Sequence, residues 1–336
     1  MKKYNLAVLG ATGAVGREMI KVLEERNFPV GELRLLASER SVGEKIKFHK
    51  ETLLVQEATE NSFKNIDIVL GAVGNNLSKK LLPHAVEAGA VVIDNSSAFR
   101  LDDDVPLVVP EVNKEDVKKH KGIIANPNCS TIIALVAINE LNKYSKIKRM
   151  IVSTYQAVSG AGSKGISELN QQVEDIINNK EAKTNAFPYQ IAYNLIPQIG
   201  DFDENGYSQE EMKLQNEGRK ILHNIDLKVN CTCVRVPVYR SHSESITIET
   251  ESEITPEKAR ELLKNADGVK LVDDPENKQY PMPLYTSDQD LIFVGRIRKD
   301  ISSDNSLSLW CSGDQIRKGA ATNAVQIAEV LISDNI

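Results

Sequence analysis

Cysteine is scarce in this chain, with four in 336 residues. That is far too few for the disulfide framework of a small secreted domain. Long apolar runs are also missing, since none approaches the roughly 18 residues that would cross a bilayer. Nor is there an excess of positive charge. Lys and Arg number 41 against 47 Asp and Glu, a formal net charge of −6, so the basic face of a nucleic-acid binder is not expected. The opening MKKYNLAVLG meets a glycine too early for the apolar core of a secretory signal. No repeat or low-complexity linker interrupts the chain. With 41% hydrophobic and 26% charged residues, the composition is globular rather than disordered. The length suits two domains of about 100–200 residues, and the expectation is a soluble, cytoplasmic, two-domain protein.

Residues 4–9 (YNLAVL) read as a buried parallel strand that ends at Gly10. Glycines then recur as Gly10-x-x-Gly13-x-x-Gly16, and a helical pattern follows with Val15, Met19, Ile20, Val22 and Leu23 apolar. Strand, glycine turn and helix are the parts of a dinucleotide site. The glycines let the backbone approach a pyrophosphate, and the helix N-terminus offers N–H groups and partial positive charge. Service to helix–strand packing alone is the competing role for Gly10 and Gly13. The next expected strand, residues 33–38, ends in Ser38-Glu39-Arg40-Ser41. An acid at this strand end favours NAD, whereas Arg40 with Ser38 and Ser41 suits the 2′-phosphate of NADP. A polar loop with Arg40 in water is the plain alternative. NADP is the expectation, with Glu39 opposing it.

Further strands are expected at residues 67–72, 90–94, 107–109 and 122–125, in the alternating order of a doubly wound sheet. From about residue 150 the strands lengthen and alternate, as at 230–238 and 245–251, which suits an antiparallel sheet. The segment from Gln315 through Ile332 reads as an amphipathic helix returning to the first domain. The fold class is therefore α/β: a Rossmann-type doubly wound parallel sheet plus an α+β domain with a largely antiparallel sheet. We place the dinucleotide-binding domain at 1–127, completed by the C-terminal helix 313–336, and the catalytic and dimerisation domain at 128–312.

Residues 125–138 read ANPNCSTIIALVAI, a polar loop followed by a helix-length apolar run. Cys129 thus stands at or near a helix N-terminus, where the dipole and free amides favour the thiolate. Burial as an inert thiol is the competing reading, and it suits Cys231, Cys233 and Cys311. A cysteine nucleophile needs a proton partner. Of the five histidines, His49 and His120 lie in lysine-rich text, His84 belongs to a sheet-covering helix, and His223 ends a surface helix. His242 lies in a turn expected between two strands (YRSHSES), from which a side chain could reach a neighbouring site, though 113 residues separate it from Cys129.

Several blocks occur together in order: GATGAVG (10–16), DNSSAFR (94–100), PEVN (110–113), NPNCST (126–131), STYQAVSGAG (153–162), EEMK (210–213), CVRVP (233–237) and HSES (242–245). Over essentially its whole length the chain resembles the aspartate-β-semialdehyde dehydrogenase family. The resemblance implies NADPH-dependent reductive dephosphorylation of L-aspartyl 4-phosphate to L-aspartate 4-semialdehyde. That step leads toward diaminopimelate, lysine, threonine, isoleucine and methionine. It implies Cys129 as the nucleophile that forms a thioester and His242 as general acid/base. Gln156 would orient the substrate and Asn128 line the acyl pocket. Arg235 would grip the α-carboxylate, Glu210 sit near the α-amino group, and Arg100 and Lys213 bind phosphate. For the cofactor the resemblance implies Thr12, Gly13, Ala14, Val15, Arg40, Ser41, Ser159, Gly160 and Gln315. It further implies a homodimer and no metal.

The chemistry asks for such groups independently. A thiolate displaces phosphate and leaves an electrophilic thioester, and a planar guanidinium suits a carboxylate. Taken singly, Arg100 and Lys213 read more often as solvated surface charges and Gln156 as a strand-end cap. Two rivals remain: an N-acetyl-glutamyl-phosphate reductase, which would not need Glu210 for a free amine, and a non-catalytic binding subunit, which would not need both Cys129 and His242. Gly218 departs from good helix sequence, costing about 1 kcal/mol against alanine.

Overall fold

The computed structural model describes residues 2–333. The chain divides into two compact units: residues up to Asn128 together with those from Ala320 onward, and Cys129–Gly319. The expected boundary at 128 thus falls one residue later, and the one at 313 moves to 320.

In the first unit, a seven-stranded sheet runs β3-β4-β2-β1-β5-β6-β7. Its strands are β1 (Tyr4–Leu9), β2 (Val30–Ala37), β3 (Lys45–Phe48), β4 (Glu51–Glu57), β5 (Ile68–Gly71), β6 (Val91–Asp94) and β7 (Ile123–Ala125). All pairings are parallel except β3 with β4. The inner strands β1, β5 and β6 are covered on both faces and largely apolar on both sides, whereas β3 alternates and β4 is mostly exposed. Leu6, Val8, Leu35 and Leu70 pack with Met19, Val22 and Leu23 of α1 (Ala14–Glu25) and with Val325, Ile327 and Leu331 of the C-terminal helix Thr322–Ser333. Ala7, Leu9, Leu36 and Val69 meet Leu81, Leu82 and Ala85 of α2 (Asn75–Glu87).

Two expectations change here. The strand expected at 107–109 is reduced to a single bridge, Leu107 to Ala125, because the chain turns into the short helix α3 (Pro110–Asn113), started by its proline. The helix expected at 313–336 is α-helical only from Thr322. Gly313 still belongs to a strand, the Asp314 carboxylate accepts from the N–H groups of Ile316 and Arg317 (2.9 and 3.1 Å), and a π-turn occupies Arg317–Ala321. Residues 334–336 of that expectation lie outside the described residues, as does residue 1 of the first domain.

In the second unit, a six-stranded sheet runs β11-β12-β13-β10-β8-β9. Its strands are β8 (Ile147–Gln156), β9 (Lys228–Arg235), β10 (His242–Thr250), β11 (Val269–Leu271), β12 (Ile292–Lys299) and β13 (Ser306–Gly313). The three inner pairings are antiparallel and the two outer ones parallel. Along β8, residues 150, 152, 154 and 156 are buried, while Ile151 and Tyr155 are exposed. One face is therefore covered and the other open. α4 (Cys129–Tyr144) is buried on nearly all sides from Ser130 to Asn139, which is why its sequence is apolar throughout rather than striped.

α5 (Ser163–Ile177) and α6 (Gln209–Ile221) flank a long irregular stretch. Buried α5 side chains hold it by its backbone. Gln172 Oε1 accepts from the N–H groups of Ile191 (2.8 Å) and Ala192 (3.0 Å), and Glu168 Oε2 accepts from that of Asn185 (2.9 Å). Phe187, Ile191 and Ile196 then pack against Leu169 and Val158. α6 starts with a reciprocal cap: Ser208 N–H donates to Glu211 Oε2 (2.6 Å) and Glu211 N–H to Ser208 Oγ (3.4 Å). Inside α6, a Cβ at Gly218 would meet only Leu227 Cδ2, at an ordinary 3.6 Å. Gly218→Ala is therefore expected to stabilise the protein by about 0.5–1 kcal/mol in urea unfolding, whereas unchanged or reduced stability would show that the glycine serves another purpose.

Candidate active site

The first unit carries the turn after β1. Gly10 has φ +88°, and a Cβ there would collide with the carbonyl of Ala72, while one on Gly16 would collide with the carbonyl of Gly10. Two of the three glycines thus let strand and helix meet. Gly13 is the exposed N-cap of α1, where no side chain caps the helix and no acid sits in the first turn. Ala14 and Val15 open the helix. That end is suited to an anion.

At the end of β2, Ser38 precedes the 3₁₀ turn Glu39–Ser41. Thr12 Oγ1 lies 3.4 Å from Ser41 Oγ. Arg40 is exposed, without an ion-pair partner among the described residues. The glycine cradle, the uncapped helix and the Ser/Arg/Ser turn together fit a phosphate-bearing dinucleotide. Arg100 is buried in the same unit, donating to the carbonyls of Asn126 (2.9 Å) and Asn95 (2.8 Å). Asn126, which sequence reasoning missed, is itself held by Asn323 (2.7 Å) and Asn95 (2.8 Å). Asn128 is buried at the end of the unit's first stretch.

In the second unit Cys129 is the first residue of α4 and the only one of the four cysteines that is not buried. No acid occupies the first turn, so the helix terminus favours a thiolate. Gly319 allows the chain to pass beside it, since a Cβ there would lie 3.0 Å from Cys129 Cβ. Arg235 is close enough for the two charges to interact. Burial drives the Cys311 thiol, and the contact with Cys233 followed by burial the Cys231 thiol, well above the usual range. These three are structural.

Three strand ends align the remaining groups. Arg235 closes β9 and pairs in register with Gln156 of β8, and His242 opens β10 next to Ser243, the partner of Tyr155. His242 is thus a fully buried strand residue rather than a member of the expected turn. The turn residues are 236–241, and the strand starts earlier because His242 pairs with Gly313 of β13.

Glu210 Oε1 accepts from Gln156 Nε2 (3.1 Å), and its Oε2 from Lys213 Nζ (3.0 Å). Thr154 Oγ1 donates to Gln156 Oε1 (3.0 Å). Arg235 donates to the carbonyl of Ala157 (2.7 Å), with the Phe187 ring 5.9 Å away. Gln315 donates to Ser159 Oγ and accepts from Ser241 N–H (2.9 Å). Gly160 lies against the cluster, since a Cβ there would meet Arg235 Nη1 at 2.7 Å and His242 Nε2 at 3.4 Å. Cys129, Gln156, Ser159, Gly160, Glu210, Lys213, Arg235, His242 and Gln315 therefore share one unit. Gly10 to Gly16, Ser38, Arg40, Ser41, Arg100 and Asn128 belong to the other.

Thr154, Ala157 and Phe187 were not foreseen, because the sheet register brings the first two to the site and packing of the irregular stretch against α5 brings the third. Glu244, one pair behind His242, was also missed. It is fully buried with neither oxygen hydrogen-bonded among the described residues, and burial pushes it well above the carboxylate range. Among these residues no group of three His, Cys, Asp or Glu is placed to hold a metal ion.

Burial first, and then Arg235, push His242 down to about 3, with Glu210 opposing. An unfolded histidine titrates near 6.5. Between these values the unfolded chain binds the extra proton, so this stabilisation is complete above about 6.5 and is lost as the pH falls toward 3. The expected loss attributable to His242 is roughly 3–5 kcal/mol. Urea unfolding at neutral and acid pH should show it, and His242→Gln should flatten the slope. An equally steep slope in the variant would assign the effect to other groups.

Two family models match the chain: semialdehyde dehydrogenase, NAD binding domain, over residues 5–120, and semialdehyde dehydrogenase, dimerisation domain, over residues 139–318. An aspartate-semialdehyde dehydrogenase of Aquifex aeolicus is 56% identical, with 99% of both chains covered. That of Bacillus subtilis is 50% identical over 99% of this chain and 98% of the relative. The structure of aspartate semialdehyde dehydrogenase II of Vibrio cholerae complexed with ASA superposes with a TM-score of 0.98 at 47% identity, covering 100% of both chains. With both units matched and relatives similar from end to end, the chain belongs to the semialdehyde dehydrogenase family.

Proposed function

We propose that this chain is an NADPH-dependent aspartate-semialdehyde dehydrogenase that converts L-aspartyl 4-phosphate to L-aspartate 4-semialdehyde and phosphate. It would act in the cytoplasm as a homodimer and serve synthesis of diaminopimelate, lysine, threonine, isoleucine and methionine. The observation that carries this reading is the placement of Cys129 at the start of α4, within electrostatic reach of Arg235. Gln156, Glu210 and His242 lie in contact beside that guanidinium.

Cys129 attacks the acyl phosphate carbon, phosphate leaves with the bonding pair, and a thioester remains on sulfur. Amides at the start of α4 face the developing oxyanion, and loss of one such donor typically costs about 2.7–4 kcal/mol. Arg235 takes the substrate α-carboxylate in its planar fork. Glu210, which accepts from Gln156 and Lys213, is assigned to the α-amino group. Gln156 orients the acyl chain, and Asn128 lines its pocket. Lys213 and Arg100 are assigned to phosphate, and His242 handles the proton.

Residues Gly10 to Gly16, Ser38, Arg40 and Ser41 would hold the adenosine and phosphates, and Ser159, Gly160 and Gln315 the nicotinamide end. When bound, the nicotinamide supplies the hydride that releases the thioester as an aldehyde. The exposed Arg40 beside Ser38 and Ser41 supports NADP over NAD. Arg40→Ala should raise KM for NADPH by about 10–100-fold, the worth of a charge-assisted bond, and leave that for NADH unchanged. An equal effect on both cofactors would remove Arg40 from 2′-phosphate recognition. The function itself is tested by phosphate-dependent oxidation of aspartate semialdehyde and N-acetylglutamate semialdehyde in parallel. Preference for the acetylated substrate would overturn it.

A further inference from the structure

Asn126 is fully buried, and each of its polar groups has a partner within the first unit. Its backbone N–H donates to the carbonyl of Asp94 at the end of β6 (2.8 Å), and its own carbonyl accepts from Arg100 Nε (2.9 Å). Its Nδ2 donates to the carbonyl of Ala320 (3.1 Å) and to Oδ1 of Asn95 (2.8 Å). Its Oδ1 accepts from Asn323 Nδ2 (2.7 Å), which also donates to the carbonyl of Val108 (2.9 Å). A backbone carbonyl can only accept, so Ala320 and Val108 settle which way round both amides lie. Pro127 follows, and a residue before proline is held in extended backbone. The direction of the Asn126 carbonyl is therefore set from both sides.

Arg100 engages the same asparagine pair. Its Nη2 donates to the carbonyl of Asn95 (2.8 Å), as Nε does to that of Asn126. Nε and Nη2 form the side-on edge of the guanidinium. Two backbone carbonyls thus occupy that edge, and they belong to residues whose side chains are bonded to each other. An oxyanion must then be received on the end-on edge, through Nη1 and the second hydrogen of Nη2. The fork is planar and rigid, so its bonds to an oxyanion depend on its tilt. Asp94 steadies the chain between Asn95 and Arg100, accepting from Ser96 N–H (3.0 Å) and Ser78 Oγ (3.1 Å).

We propose that Asn126, together with Asn95, is a positioning residue for phosphate. The pair sets the plane of the Arg100 guanidinium and so aims its end-on edge at the anion, without touching the anion itself. The inference rests on the proposed reaction, in which Arg100 receives phosphate. Neutral amides suit this work, since a carboxylate in either place would compete with phosphate for the guanidinium.

The test is the phosphate-dependent oxidation of aspartate semialdehyde by the full chain, with Asn126→Ala and Asn95→Ala. Asn95 is only half-buried and its Oδ1 accepts from Asn126, so the second variant serves if the first folds poorly. In each, KM for phosphate should rise by about 10-fold, the lower end of what a charged hydrogen bond contributes. KM for the semialdehyde and for NADP⁺ should stay unchanged. The double variant should show little more than either single one, because both act through the same guanidinium. In an Arg100→Ala background, neither substitution should change KM for phosphate further.

Calorimetric titration of inorganic phosphate into the same proteins gives a readout free of turnover, and its Kd should weaken in parallel. An unchanged phosphate KM and Kd in both variants would reduce the asparagines to ties between the sheet and the C-terminal helix. A rise shared equally by all three KM values would overturn the proposal too, as would a phosphate Kd that Arg100→Ala leaves unaltered. Failure of the proposed reaction looks different, because the unaltered protein would then bind phosphate but not oxidise aspartate semialdehyde.

Discussion

Cys129→Ala is expected to remove turnover in both directions, by about 10⁴-fold or more, as when a covalent nucleophile is deleted elsewhere. The thiol lies at the first residue of a 16-residue helix and is only half-buried, so the variant should keep its fold and its cofactor affinity. The other thiols provide the control. Cys231, Cys233 and Cys311 sit inside the covered face of the second sheet, and alanine there should cost stability rather than chemistry. Substantial turnover in Cys129→Ala would show that carbonyl capture occurs elsewhere.

The second large effect is expected at Arg235. Arg235→Lys keeps a positive charge but loses the planar fork, and KM for the semialdehyde should rise by about 10–100-fold, the worth of a charged hydrogen bond or two. A fall in kcat should accompany it, for a reason visible in the geometry. Arg235 holds the carbonyl of Ala157, and the N–H of that same residue holds Nδ1 of His242. Loosening the guanidinium releases one side of the residue that orients the ring. An unchanged KM would mean that another cation receives the α-carboxylate.

Much of this was legible because it is local. A short apolar strand, three glycines and a striped helix are contiguous, and the structure places them as β1, the turn and α1. Cys129 at a helix start could be read from a polar loop running into an apolar segment. His242 shows where local reading fails. The run RSHSES looks like a turn because it is polar, yet residues 242–244 are buried and their polarity belongs to the site. Strand pairing with β13 and β8 decides that, and no neighbouring residue announces it. The stretch around Phe187 resisted for the same reason: Gln172 and Glu168 hold its backbone from a different element. The Glu244 carboxyl, buried without a hydrogen-bond partner among the described residues, runs against the rule by which polarity marks the surface.

The most direct test is to mix the intact protein with aspartyl phosphate without a reductant, quench in acid, and map the digested peptides by mass. The expected result is one aspartyl group on the peptide containing Cys129, discharged by added phosphate and missing from Cys129→Ala. An aspartyl group on a different peptide, or no adduct at any quench time in protein that turns over fully once NADPH is supplied, would contradict it.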